Sequence, residues 1–135
     1  MKEKKNKGLN IALWIVQSLL AIMFLMAGIM KLSMPIGQLY ISMPWTKDVS
    51  EVLVRFIGIS ELLGGIGLML PSIFRIKPIL TPIAALALIL VMILAMMFHI
   101  SRGEANIIGM HIAIILLALF VAWGRFKKVP IRAKK

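Results

Sequence analysis

Cysteine is absent from the 135 residues, which removes disulfides, thiolate metal sites, iron–sulfur ligation and dithiol redox chemistry from this chain. Any electron chemistry would need a borrowed cofactor. Acidic residues are few, five against 16 basic ones, leaving a formal net charge of +11. Such an excess suggests nucleic acid until the basic residues are located along the chain. What is abundant is apolar: 61% of the residues are hydrophobic and the mean hydropathy is +0.98. A soluble domain has roughly half of its residues apolar, so this chain is expected to need lipid.

A helix of about 20 apolar residues crosses a hydrocarbon core of about 30 Å. The chain offers four such stretches, Ile11–Met30, Val52–Leu70, Ile79–Ile100 and Ile107–Trp123. They leave one long connection, Lys31–Glu51, between short links at Pro71–Pro78 and Ser101–Asn106. Short links make neighbouring helices antiparallel. The expected fold is an all-α, integral membrane, antiparallel four-helix bundle over residues 11–123, flanked by basic segments 1–10 and 124–135.

Positively charged flanks resist translocation, so Lys and Arg set orientation. With the amino terminus inside, Lys2, Lys4, Lys5, Lys7, Arg75, Lys77, Arg125, Lys127, Lys128, Arg132, Lys134 and Lys135 are cytoplasmic, and only Lys31, Lys47 and Arg102 are outside. The bias accounts for the basic charge without nucleic acid, and places both termini on the cytoplasmic face of the plasma membrane. The tail Arg125–Lys135 is expected to attract anionic lipid head groups. The competing reading of Met1–Met30 as a cleaved signal peptide is disfavoured. Its apolar run exceeds the usual 7–15 residues or so and no A-x-A site follows.

Helices in lipid associate through close backbone approach and polar links, so small residues mark interfaces. The second span is dense in them: in GISELLGGIGL, Gly58, Gly64 and Gly65 are the packing candidates, with Ser60 beside them. Ala21 and Gly28, then Ala84, Ala87 and Ala95, then Gly109, Ala113 and Ala118 repeat the spacing on the other spans. A homo-oligomer is also among the expected partners. Pro78 and Pro82 suit a helix start. The connection Leu39–Trp45 is apolar, and Tyr40 and Trp45 are expected at head-group level, with a lid over an outward-opening site as the functional alternative.

Ionisable groups inside spans are functional candidates by default. They are Arg55 and Glu61 in the second span, His99 at the end of the third and His111 in the fourth, with Lys31 ending the first. In this topology all five lie in the outer half. Glu61 is the deepest, about 14 Å along its helix from Val52. Arg55 lies about 120° around the helix from it, so Lys31 is the favoured partner for Glu61. His99 and His111 come from adjacent antiparallel helices and should approach each other. Two histidines can ligate haem or a metal, but no third ligand at metal spacing and no haem motif accompany them, so no metal site is expected. Gln17 and Ser18, in the inner half, read as packing or local hydrogen bonding.

AGIMKL, MPW, RFIGISELLGGIGLMLP, KPILTPIAALALILVMILAMMFH, RGEAN and WGRF, in this order, resemble the DoxX-like family of small four-helix membrane proteins. The specific part is the punctuation: Lys31, Arg55, Gly58, Glu61, Gly64, Gly65, Pro71, Pro78, Pro82, His99 and Arg125. The family takes its name from membrane subunits associated with thiosulfate:quinone oxidoreductase. The resemblance therefore implies a quinone-linked or redox-related membrane subunit, with quinone as the cofactor and an oxidoreductase subunit as partner. Without cysteines or a soluble catalytic domain, independent sulfur chemistry is not expected. The outer cluster Lys31, Glu61 and His99 would bind the polar head of a lipid-soluble ligand in an apolar slot. Two alternatives stand beside it: a partner-binding scaffold whose ion pair sets helix register, and a small proton-coupled transporter using Glu61.

Overall fold

The protein is described by a computed structural model covering the backbone of residues 2–134 and the side chains of residues 6–134. Five α-helices follow one another: α1 (Lys2–Ser33), α2 (Ile36–Ser42), α3 (Glu51–Phe74), α4 (Leu80–Ser101) and α5 (Ile108–Trp123). Single 3-10 turns lie at Pro44–Asp48 and Ala105–Ile107, and a π turn over Gly124–Lys128 prolongs α5. Four segments are long and apolar enough to cross a membrane, Asn6–Ser33, Glu51–Phe74, Leu80–Ser101 and Ala105–Lys128. Each expected span lies on one of them, except that the third starts one residue early, at Ile79, which precedes the first residue of α4. The other three overrun the expected limits because helical backbone satisfies its own polar groups and can continue into the head-group layer. At 32 residues, α1 is about 48 Å long and carries its basic first turns well beyond a hydrocarbon core.

Local chemistry sets the ends. Ser50 caps α3, its hydroxyl accepting from the Leu53 N–H at 3.2 Å, with Glu51 in the first turn where a negative charge suits the helix dipole. The same helix stops at Arg75, whose φ of 57° is left-handed, after running through Pro71. Proline cannot donate to the carbonyl four residues back, which here belongs to Gly67. The Thr81 hydroxyl on α4 donates to that carbonyl at 3.1 Å and meets the Ser72 hydroxyl at 2.6 Å. The bond that Pro71 removes is thus replaced from the neighbouring helix. Pro82 sits in the first turn of α4, where its missing donor is harmless.

The helices form a ring in which α1 packs on α3, α3 on α4, α4 on α5, and α5 back on α1. Partners run in opposite order along α1 and α3: Gln17 meets Leu68, Ala21 and Leu25 lie against Gly65, and Lys31 meets Glu61. Along α3 and α4 the order Ser72 with Thr81, Gly67 with Ala84 and Gly64 with Leu88 is likewise reversed. Both pairs are therefore antiparallel. One end of the bundle holds both termini and the α3–α4 link; the far end holds α2 and the α4–α5 link.

The α1–α3 seam depends on glycine. A Cβ on Gly28 would lie 2.7 Å from the Gly58 carbonyl oxygen and 2.8 Å from the Leu62 nitrogen, and a Cβ on Gly58 would lie 2.8 Å from the Lys31 Cβ. A Cβ on Gly64 would strike Leu88, and one on Gly65 would strike Leu25. The core behind the seam contains Leu20, Phe24, Leu68, Leu88, Met92 and Val121. Outward, Leu19, Met26, Leu63, Leu90 and Leu116 are exposed, the pattern of a bundle solvated by lipid. The small-residue repeat on α4 and α5 is only partly inward. Ala84 and Ala118 are buried, but Ala87, Gly109 and Ala113 are exposed and a Cβ on Gly109 would meet nothing within 4 Å. Branched and long side chains fill those interfaces instead.

Candidate functional site

Polar side chains are concentrated at the two ends of the bundle. At the far end, Lys31 in the last turn of α1 and Glu61 in the middle of α3 form an ion pair at 3.1 Å, with side chains 7% and 6% exposed. The close backbone approach at Gly28 and Gly58 brings the two helices near enough for it. Arg55 does not pair with Glu61. Its Nη1 donates to the Lys31 and Met34 carbonyls at 2.6 and 2.8 Å, capping the end of α1, and its Nη2 pairs with Glu51 at 3.1 Å one turn away. Arg55 thus fixes the helix end that presents Lys31.

His99 and His111 are both buried and face each other across α4 and α5 with ring centroids 5.2 Å apart. Nδ1 of His111 donates to the Ile107 carbonyl at 3.0 Å, since a carbonyl oxygen can only accept. Its Nε2 is then the acceptor of the neutral ring. The Nδ1 of His99 is buried with no hydrogen-bond partner. The Glu104 carboxylate stands 3.6 Å from it, beyond hydrogen-bonding reach. Among the described residues no group of three His, Cys, Asp or Glu side chains is gathered that could hold a metal ion. No hydrogen bond or ion pair among the described residues joins the Lys31, Arg55 and Glu61 group to the histidines.

The loop expected at head-group level packs in part on the end of the bundle. Leu39 in α2 and Thr46 in the following 3-10 turn are fully buried, and the Trp45 ring meets Phe98 and His99 edge-on at 6.0 and 6.4 Å. Tyr40 remains half-buried. Trp45 packs on α4, whereas Ile41 of the same loop stays exposed. Arg102 ties this cover to the α4–α5 link by pairing with both Asp48 and Glu104.

The Arg102 guanidinium hydrogen-bonded to Glu104 holds that carboxyl below the usual carboxylate range. A lowered folded pKa gives stabilisation that is complete above the unfolded value of about 4.3. It is lost as pH falls through the lower folded value. Between pH 6 and pH 3 the cover is expected to loosen, with faster hydrogen exchange of the Thr46–Val49 amides, while Arg102→Gln loosens it already at pH 6. An exchange rate independent of pH in the wild type, after correction for intrinsic chemistry, would contradict the clasp.

At the end that carries both termini lies a second network that sequence reasoning passed over. Arg125, expected in a lipid-facing basic tail, is only 2% exposed. It lies on the π turn prolonging α5, so the helical domain extends past residue 123 to Lys128. Its Nε donates to Gln17 Oε1 at 2.6 Å and its Nη1 to Asn10 Oδ1 at 2.7 Å and to the Val129 carbonyl at 3.0 Å. Gln17 in turn donates through Nε2 to the Leu68 carbonyl at 2.8 Å. Gln17 is therefore an interhelical link, while Ser18 bonds the Trp14 carbonyl within its own helix at 2.7 Å. The available signal was a glutamine inside an apolar span; the run of basic residues around Arg125 masked its different role.

A ring of four apolar helices with buried polar contacts at both ends defines a multi-pass membrane protein. The chain belongs to the DoxX-like family, whose model matches residues 15–123. Comparison with curated proteins and with solved structures gives no match.

Proposed function

We propose that this protein is a membrane subunit of a quinone-linked oxidoreductase, and that His99 and His111 hold the polar head of the quinone. Support comes from one feature above the others, the buried Nδ1 of His99 without a hydrogen-bond partner, because a buried polar atom left unpaired costs about 1–3 kcal/mol and is stabilised by a ligand that pairs with it. His99 donates to a carbonyl oxygen, and His111 accepts at Nε2 from a hydroxyl, so the pair suits both the oxidised and the reduced head. Trp45 and Phe98 supply flat apolar walls beside His99. The resemblance to membrane subunits of quinone-linked oxidoreductases supports this reading, in which a separate oxidoreductase subunit supplies the catalytic chemistry. In this reading both termini are cytoplasmic in the plasma membrane, in keeping with the bias of Lys and Arg, and the histidines lie toward the outer face.

The test is mass spectrometry of lipid extracts from gently purified protein, with identification of any co-purifying polypeptide. Wild-type protein is expected to retain a quinone, and His99→Ala to retain at least about tenfold less, the equivalent of one lost hydrogen bond in a dry site. Wild-type protein without quinone, or His99→Ala with undiminished quinone, would refute the assignment.

A further inference from the structure

We propose that the end of the bundle carrying both termini contains an anion site, distinct from the histidine pair, that binds a phosphoryl group through the buried guanidinium of Arg125.

Arg125 is charged at every physiological pH, and three of its donor interactions go to neutral acceptors, Gln17, Asn10 and the Val129 carbonyl. Nη2 is buried and has no partner. The carboxylates whose side chains are described are engaged elsewhere: Glu61 with Lys31, Glu51 with Arg55, and Asp48 and Glu104 with Arg102. A buried cation that lacks a counter-charge is strongly unfavourable. The described side chains therefore leave this cation without a counter-charge.

Space for one is present. A cavity of about 510 Å³ opens beside Arg125 and is lined also by Asn10, Trp14, Ser72, Arg75 and Ile131. Arg75, exposed at the end of α3, brings a second guanidinium to the same cavity. Its Nε and carbonyl hold residues 132–134 in place, through the Arg132 carbonyl at 2.8 Å and the Lys134 N–H at 2.7 Å. The carboxy-terminal segment is thereby strapped beside the opening, and no acidic residue is on it. Trp14 lies under the Arg125 guanidinium, ring centroid to Cζ 5.3 Å, so the plane of the fork is held from one side. Two guanidinium groups with an aromatic and aliphatic wall fit a phosphoryl oxyanion bearing an apolar substituent. The group can come from an anionic phospholipid or from a free phosphate compound.

Trp14 is a built-in reporter once Trp45 and Trp123 are replaced by Phe. In detergent solution this protein is titrated with short-chain phosphatidylglycerol and, separately, with inorganic phosphate, following Trp14 fluorescence. A saturable change with the lipid that phosphate does not compete away identifies a lipid head group. Saturation by phosphate alone at similar concentration identifies a free phosphate compound. Either result supports the site. Arg75→Gln, at an exposed position outside the helix packing, is expected to weaken binding about tenfold, the scale of one charge-assisted contact. Arg125→Lys, which keeps the charge but loses the fork, is expected to weaken it further. No saturable response to either probe overturns the proposal, and so does unchanged affinity in Arg75→Gln.

Discussion

Replacing Glu61 by Gln is expected to destabilise the detergent-solubilised protein by about 3–5 kcal/mol, the range found when one member of a buried ion pair is removed. The amide keeps the carboxylate's shape, so the effect is electrostatic: the Lys31 ammonium, 7% exposed, is left without its counter-charge. Arg55 cannot compensate, being a cation already committed to the Lys31 and Met34 carbonyls. Lys31→Met strands the carboxylate in the same way, although a carboxyl can take up a proton and escape part of the penalty. Removing both charges together should be far less harmful than the two single losses combined, because two apolar or neutral side chains of similar size pack where the pair stood. Melting temperatures of the three variants test this. Additive losses in the double variant would show that the two residues do not depend on each other, and a wild-type melting temperature for Glu61→Gln would refute the importance of the pair.

The second large effect is expected at Gly28. In Gly28→Ala the new methyl would lie 2.7 and 2.8 Å from backbone atoms of Gly58 and Leu62. Backbone in a packed helix cannot swing aside as a side chain can, so α1 and α3 must separate. Overpacking of this kind costs about 1–3 kcal/mol and sometimes more. Here separation also stretches the Lys31–Glu61 pair at one end of the seam and the Gln17–Leu68 bond at the other, which places Gly28→Ala at the upper part of that range. Gly109→Ala is the control. Nothing lies within 4 Å of its Cβ position, and the change is expected to stay within about 0.5 kcal/mol of wild type. Thermal unfolding in a common detergent distinguishes the two, and equal melting temperatures would remove the seam from its central place in the fold.

The same contrast between Gly28 and Gly109 marks how far sequence reasoning reached. Both are glycines in apolar spans at small-residue spacing, and pattern alone treats them alike. Which one faces a neighbour depends on how each helix is rotated in the ring. That rotation is decided by the summed contacts of all four helices, not by any single span. The pairing of Lys31 with Glu61 was legible because a carboxylate deep in lipid needs a cation. Arg55 was excluded by helical periodicity, and Lys31 follows the small residues Ala27 and Gly28. The approach of His99 and His111 was legible too, since a short link joins their helices. Trp45 over His99 was not, because an apolar loop at a membrane surface has two places to go, the head-group layer or the bundle, and its sequence favours both.

Sequence alone determined that this chain lives in lipid, that it crosses four times and that its charged residues gather in a few places. Each of these follows from properties that are local and additive: hydropathy over about 20 residues, the rise of a helix, and the penalty for charge in hydrocarbon. The structure alone decided what happens at Arg125. In sequence it is one basic residue among six in Arg125–Lys135, and nothing in that run marks it as buried. One more half-turn of helix beyond Trp123 carries it inside, against Gln17 and Asn10 on α1, while Lys127 and Lys128 stay exposed. Burial is a property of the packed ring, set by residues more than 100 positions apart in the chain, and no local pattern encodes it.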